Sequence, residues 1–222
     1  SLPSLIENVR DKKITGLNIT LPYKKDIISY IDEVSYSAKD IGAINTVFLR
    51  GKKVYGENTD GIGFTRALEK KTKFNFSNKS IYIIGAGGAA YGIISELIKK
   101  KVEKIYITNR TKQKTIQLVN FFKTKNKKIN LEFVEWKDLV PNSDVDLIIN
   151  TTSFGMKDNE CLKIDINNLK DTLIFVDIIY NPKETELLKL FKKEGFVCMN
   201  GLSMLIEQAA VSFELWFNIS LN

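Results

Sequence analysis

Four polar side chains sit where this chain could move a proton beside a small molecule. They are Lys24 after Gly16-Leu-Asn-Ile-Thr-Leu-Pro-Tyr, Asn45 in Gly42-Ala-Ile-Asn-Thr, Asp60 in Gly56-Glu-Asn-Thr-Asp-Gly-Ile-Gly-Phe, and Gln208 in the closing helix. Each alone is ordinary: an isolated lysine is rarely catalytic, an Asp that opens a helix commonly caps it, and a Gln on an amphipathic helix commonly faces water. What narrows the chemistry is an absence. The sequence contains no histidine, which excludes Ser-His-Asp hydrolysis, His-ligated zinc catalysis and histidine relays. Any proton must pass through Lys, Asp, Glu, Tyr or Cys.

A second group of residues offers phosphate binding. Ser80-Ile81-Tyr82-Ile83-Ile84 reads as a buried strand running into Gly85-Ala86-Gly87-Gly88-Ala89-Ala90 and then a helix. Gly85 permits the tight turn, Gly87 lets the backbone approach a pyrophosphate, and Ala90 lets the helix pack close to the strand. The free N–H groups and positive dipole end of that helix then face the anion. NAD-binding folds usually place an acidic residue about 20 residues beyond the glycines, on the ribose hydroxyls. Here the second strand ends instead in Asn109-Arg110-Thr111, with Lys112 and Lys114 following. The planar fork of Arg110, with donors from Thr111 and Lys114, suits a 2′-phosphate, so the expected cofactor is NADP. No tyrosine has a lysine four residues on, the pair that short-chain dehydrogenases place on one helix face. With no metal or histidine site, a dinucleotide fold beside a small second domain points to hydride transfer in the cleft between them.

The elements that must position these groups follow from periodicity. Residues 1–59 read as a small mixed domain, with a helix over Pro3–Lys13 and a strand over Ile14–Thr20 that Pro22 stops. A helix over Tyr23–Ile31, a short one over Ser35–Ile41, and strands over Ile44–Arg50 and Lys53–Tyr55 facing across Gly51 complete it. The segment 60–79 connects, with a helix over Asp60–Lys71. Across 80–202, strands at 81–84, 104–108, 131–135, 145–150, 173–178 and 196–199 alternate with helices at 88–100, 111–123 and 184–194. The expected class is therefore α/β, a Rossmann doubly wound parallel sheet joined to a smaller mixed α/β substrate domain. An amphipathic helix over Ser203–Phe217, within 203–222, is expected to return to the first domain.

Composition limits the partners. The 222 residues are 44% hydrophobic, enough for one large or two small cores. The formal charge of +7 comes from lysines scattered among isoleucines and asparagines. That pattern favours a lysine-coated surface and an anionic substrate and cofactor over nucleic acid. Cys161 and Cys198 form no C-x-x-C pair and read as reduced, buried residues of a cytosolic protein, with no zinc site and no disulfide framework. No apolar run approaches the length of a membrane span and no signal peptide opens the sequence, so a cytoplasmic location is expected.

Across nearly its whole length the chain resembles the shikimate dehydrogenases. The carrying motifs are G-x-N-[VI]-T-x-P-x-K at 16–24, G-A-x-N-T at 42–46, N-T-D-G-x-G-F at 58–64, G-A-G-G-A-A at 85–90 and N-R-T at 109–111. N-T-T-S-x-G-M at 150–156, V-D-x-x-Y-x-P at 176–182 and G-x-x-M-L-x-x-Q-A-A at 201–210 follow in the same order. The resemblance implies NADPH-dependent reduction of 3-dehydroshikimate to shikimate, on the route to chorismate and the aromatic amino acids. It implies Lys24 and Asp60 as the catalytic pair, with Thr20, Asn45 and Gln208 on the ring hydroxyls and Tyr180 reaching the substrate from the cofactor side. Gly85, Ala86, Gly87, Gly88 and Ala89 would cradle the pyrophosphate, and Asn109, Arg110, Thr111 and Lys114 the adenosine phosphate. Thr151 would approach the rest of the cofactor, with Ile178 and Gly201 by the nicotinamide. Hydride delivery leaves negative charge on the carbonyl oxygen, which the Lys24 ammonium can stabilise and protonate while Asp60 orients it. Which of the two formally accepts the proton in reverse stays open, as does the choice between monomer and homodimer. A relaxed quinate/shikimate dehydrogenase using either cofactor and a non-catalytic NADP-binding module are the alternatives, with an RNA-binding protein behind them.

One part of the pattern has no counterpart. The family begins with a strand carrying a Ser-x-Ser pair that anchors the substrate carboxylate, then a helix and a strand, and these 222 residues start at the next helix. The expectation is a truncated rather than a naturally shortened enzyme, with Leu17 and Ile19 uncovered and weak shikimate binding by this stretch alone.

Overall fold

The computed structural model describes residues 1–20, 22–137, 139, 141–157 and 162–221. They form two sheets, one of four strands and one of six.

The smaller sheet runs β1 (Gly16–Asn18), β3 (Thr46–Arg50), β4 (Lys53–Glu57), β2 (Glu33–Val34). β1 and β3 are antiparallel, as are β3 and β4, while β2 lies parallel to β4. Helix α1 (Leu2–Arg10) lays Ile6 and Val9 against one face, where Ile27, Ile44, Val47 and Val54 complete a core. Ile19 joins that cluster at 8% exposure and Leu17 packs partly buried beside it. The expectation that both would be uncovered is not met.

Two elements differ from their sequence pattern. The predicted helix over 23–31 is a single 3₁₀ stretch, Asp26–Tyr30, in which only Ile27 is buried. With so small an apolar face, packing cannot offset the cost of an α-helical nucleus. The strand predicted over 14–20 is shorter, Gly16–Asn18, with one further hydrogen bond in the same register from Ile19 N–H to the carbonyl of Asn45 at 2.8 Å. Helix α2 (Tyr36–Ile41) starts as expected at Ser35, whose hydroxyl accepts from Ala38 N–H, and ends on Gly42 in the left-handed region.

Helix α3 (Asp60–Thr72) carries the chain to the large sheet, which is parallel throughout. Its strands are β5 (Ser80–Ile84), β6 (Lys104–Thr108), β7 (Leu131–Phe133), β8 (Leu147–Asn150), β9 (Ile174–Asp177) and β10 (Val197–Met199), in the spatial order β10-β9-β8-β5-β6-β7. All five residues of β5 are buried, because a parallel strand covered on both faces reads as a continuous apolar run. The pleat sends Ile81 and Ile83 into the core beneath α4 (Gly88–Lys99) and α5 (Lys112–Lys125), and Tyr82 and Ile84 into the core beneath α6 (Glu186–Lys193). On the second face the rings of Phe175 and Phe191 stack at 4.1 Å. The strand order reverses between β5 and β8, so the loops leaving them diverge and open a crevice at the carboxyl edge.

The last helix, α7 (Gly201–Phe217), packs along α3 and reaches the small sheet, where the Thr46 and Ser212 hydroxyls meet at 2.5 Å. Among the described residues no helix is long and apolar enough to cross a membrane. Cys198 is half-buried, and burial pushes its thiol up to about 11. Cys161 lies outside the described residues.

Asp146 ties the start of β5 to the approach of β8. Its carboxylate accepts from Ser80 N–H at 3.0 Å, Lys170 at 3.1 Å and Lys79 at 3.2 Å. Burial alone would raise its pKa, but these donors together outweigh it and hold the group below the ordinary carboxylate value. A depressed folded pKa adds stability above the unfolded value near 4, and that stability is lost as pH falls through the folded value. Asp146→Asn is expected to cost about 1 kcal/mol at neutral pH after solvent screening. In denaturant melts at several pH values, the variant and parent curves should converge in acid; a constant offset would show that charge is not the cause.

Candidate active site

The segment carrying Thr20 and Lys24 is stitched to the residues preceding β3. Tyr23 N–H turns back to the carbonyl of Thr20 at 3.0 Å, and the carbonyl of Lys24 accepts from Ile44 N–H at 2.8 Å. Asp60 is the first helical residue of α3, and Thr59 occupies the capping position. The Asp60 carboxylate is thus released from capping: Oδ2 receives Lys24 Nζ at 2.7 Å and Oδ1 receives Asn45 Nδ2 at 2.8 Å. With side chains only 22% and 12% exposed, the Lys24–Asp60 pair is partly shielded from water. The positive end of α3 stabilises the carboxylate further.

Asn45 is itself fixed, its Oδ1 accepting Thr59 N–H at 2.8 Å. From α7, Gln208 Oε1 comes within 3.4 Å of Asn45 Nδ2, and the carbonyl of Gln208 accepts from Thr59 Oγ1 at 3.1 Å. The six residues Thr20, Lys24, Asn45, Asp60, Tyr180 and Gln208 all line one cavity of about 340 Å³, together with Ile178 and Gly201. That volume suits a small-molecule site. Asn18, Met204 and Leu205 line it too and were missed from sequence. The signals were available, since Asn18 alternates with Thr20 and Met204 lies four residues before Gln208. Gly201 is held against the loop after β9: a Cβ there would lie 1.8 Å from the carbonyl oxygen of Ile178.

A separate groove of about 230 Å³ lies at the crevice, lined by Gly85, Ala86, Gly87, Asn109, Arg110, Thr111, Lys114 and the segment Thr151–Phe154. Gly85 has φ +112°, and a side chain there would also strike Thr151 Oγ1 at 2.4 Å. Thr151 N–H and Oγ1 both donate to the carbonyl of Ile84, at 2.7 and 2.9 Å, clamping the two diverging loops. Asn109 Oδ1 accepts from Ala86 N–H at 3.3 Å, so it fastens the glycine loop. Ala89 lies partly exposed in the first turn of α4 and lines neither this groove nor the first cavity.

The electrostatics of the groove favour an anion. The guanidinium of Arg110 sits 5.1 Å from the centre of the Phe154 ring, and among the described residues neither it nor Lys114 has a carboxylate partner. Lys112, by contrast, is neutralised by Glu135 at 2.5 Å. Among the described residues no acid lines the groove. Gly87 and Gly88 are exposed, a Cβ on either would meet open space, and the first turn of α4 carries no acid. A pyrophosphate fits the open glycine cradle and a ribose phosphate fits the unpaired cations.

One supporting network was not legible beforehand. Asp177, fully buried at the end of β9, accepts from Thr185 Oγ1 at 2.6 Å, Asn150 Nδ2 at 3.1 Å and Ile179 N–H at 3.1 Å. Burial nonetheless keeps its carboxyl above the ordinary value, because desolvation outweighs the three donors. Asn150 in turn accepts Thr152 N–H at 3.0 Å and Thr152 Oγ1 at 2.7 Å. The pair therefore locks together the loop lining the groove and the loop carrying Ile178 and Tyr180.

The chain is similar to known proteins over nearly its whole length. Residues 1–47 match the model of the shikimate dehydrogenase substrate binding domain, 67–190 that of shikimate / quinate 5-dehydrogenase, and 201–221 that of the shikimate 5′-dehydrogenase C-terminal domain. A shikimate dehydrogenase (NADP(+)) of Pelagibacter ubique is 42% identical over 98% of this chain and 78% of its own length. A crystal structure of a shikimate dehydrogenase in complex with NADP+ is 37% identical, with a TM-score of 0.87 over 100% of this chain and 77% of that one. A ligand-free 5-ketofructose reductase of Gluconobacter superposes with a TM-score of 0.91 at 30% identity, covering 100% of this chain and 79% of that one.

Proposed function

The chain belongs to the shikimate dehydrogenase family and is an NADP-dependent oxidoreductase; from that premise we propose that it reduces 3-dehydroshikimate to shikimate, reversibly, in the cavity holding Lys24 and Asp60. The observation carrying this reading is that one cavity gathers an ammonium–carboxylate pair, the polar side chains of Asn18, Thr20, Asn45, Tyr180 and Gln208, and the Ile178–Gly201 wall from distant parts of the sequence.

With NADPH held in the adjoining groove, hydride would be available to the carbonyl carbon of a substrate in the cavity. Lys24 faces the oxygen on which charge develops, stabilises it and gives a proton from Nζ. Asp60, anchored by Asn45 through its other oxygen, aims Lys24 and keeps it from swinging into solvent. Thr20, Asn45 and Gln208 hold ring hydroxyls, and Tyr180 closes the cavity from the side of the large sheet. Gly85 to Gly88 would hold the diphosphate, with Ala89 set back from it in the first turn of α4, Arg110, Thr111 and Lys114 the 2′-phosphate, Asn109 the loop between them, and Thr151, Ile178 and Gly201 the remainder of the cofactor. In this reading residues 1–59 with the returning helix within 203–222 form the substrate domain, 60–79 the connection, and 80–202 the NADP domain. The protein works in the cytoplasm as a monomer or homodimer, without nucleic acid or membrane partners.

The test is shikimate oxidation by the purified chain, followed by the absorbance of the reduced nicotinamide, with quinate and 5-ketofructose assayed alongside. Turnover with shikimate and NADP+ is expected; turnover with another of these compounds alone would reassign the substrate. In the same assay Arg110→Asp should raise the KM for NADPH by about 10–100-fold, replacing attraction to a dianion with repulsion, and leave that for NADH within about twofold. Equal changes for both cofactors would remove Arg110 from the 2′-phosphate site.

A further inference from the structure

Lys24 turns into the substrate cavity, but the next residue, Lys25, borders a different space. It lines a third cavity, about 460 Å³, between the small sheet's connections and the phosphate end of the large sheet. The small side contributes Lys25 and Ile41–Ala43, the large side Gly87, Gly88 and Lys114 among others. The cavity adjoins the adenosine groove through Ala86, Gly87 and Lys114, and Arg110 and Thr111 do not line it. Lys25 is exposed and among the described residues has no carboxylate partner. Asp40, next to the lining residue Ile41, is already engaged by Lys125 at 2.5 Å. An uncompensated cation therefore borders the cavity into which the exposed Gly87 and Gly88 open.

We propose that Lys25 is a contact for the cofactor's diphosphate, supplied from the small lobe across the cleft. The inference rests on the NADP reading above and extends it to a residue outside the glycine loop. The diphosphate is favoured over the 2′-phosphate because the cavity shares the glycines at the head of α4 and, of the three residues assigned to the 2′-phosphate, is lined only by Lys114. An ammonium meeting a diphosphate oxygen forms a charge-assisted bond in a partly shielded space, worth about tenfold in affinity. It also makes cofactor binding draw the two lobes together.

Equilibrium titrations, by protein fluorescence or calorimetry, test this with wild type, Lys25→Met and Lys25→Arg. The ligands are NADPH, NADH, adenosine 2′-monophosphate, which lacks a diphosphate, and shikimate. Lys25→Met is expected to weaken NADPH and NADH by the same factor, about tenfold, and to leave the other two unchanged. Lys25→Arg, which keeps the charge, should stay within about twofold of wild type. Unchanged dinucleotide affinity would overturn the proposal, and so would a loss confined to NADPH and the 2′-monophosphate. An equal loss in Lys25→Arg would also overturn it, since charge would then not be the cause. Failure of wild type to bind NADPH would instead sink the cofactor reading on which the proposal stands. Thermal melts of both variants should match wild type, because the side chain is exposed and has no carboxylate partner among the described residues.

Discussion

Lys24→Ala lowers kcat by about 10²–10⁴-fold with the KM for shikimate changed by only a few-fold, the expected result of removing a proton donor that acts on charge present chiefly in the transition state. Asp60→Asn gives a smaller but still large loss. The amide keeps one oxygen toward Lys24 or Asn45 but cannot satisfy both, because each carboxylate oxygen now has its own donor. The two variants should be non-additive, since each disables the same ion pair. Steady-state kinetics of the singles and the double decide it. If KM rises steeply while kcat survives, both residues are binders, and the proton comes from elsewhere.

The second large effect is on the joint between the lobes. Gly61, next to Asp60, meets α4 so closely that a Cβ would lie 2.2 Å from the carbonyl oxygen of Gly92 and 3.0 Å from the Cβ of Glu96. Backbone cannot yield as a flexible side chain does, so Gly61→Ala must push α3 away from α4. A cost of about 3 kcal/mol is expected. For a chain of this size that lowers Tm by about 6–12 °C. Because α3 begins at Asp60, activity should fall even below the melting range, through displacement of the carboxylate from Lys24. Thermal unfolding with parallel kinetics checks both; an unchanged Tm would mean that the helices have room the structure does not display.

The large sheet was nearly all legible because its signals are local. β5 is an unbroken apolar run, Gly85 requires a positive φ, and every predicted strand of 80–202 is present with ends shifted by three residues or fewer. The small lobe was less so. Two-residue β2 has no periodicity to read, and the segment after Pro22 carried helical spacing without enough buried surface to sustain an α-helix. Of the site, the residue types and their gathering in one cavity followed from motifs spread along the chain. The bonds among them did not follow. That Asn45 clamps Asp60, and that Asp177 and Asn150 brace two cofactor-side loops, depends on contacts between residues 15 and 27 positions apart. The third cavity was equally hidden, because Lys25 reads as one more surface lysine until the folded chain sets it opposite Gly87.

The chain passes between its two lobes twice, outward along α3 and back along α7, and the two passages are bonded to each other. Arg66 pairs with Glu214 at 2.8 Å, Lys70 with Glu207 at 3.0 Å, and at Gly63 a Cβ would sit 2.6 Å from the backbone nitrogen of Gln208. A door hung on two adjacent pins swings but does not twist. Any gaping of this molecule is thus a rocking about the α3–α7 spine, in which Asp60 and Gln208 ride as one rigid piece. Substrate can come and go without those two groups ever losing their mutual alignment.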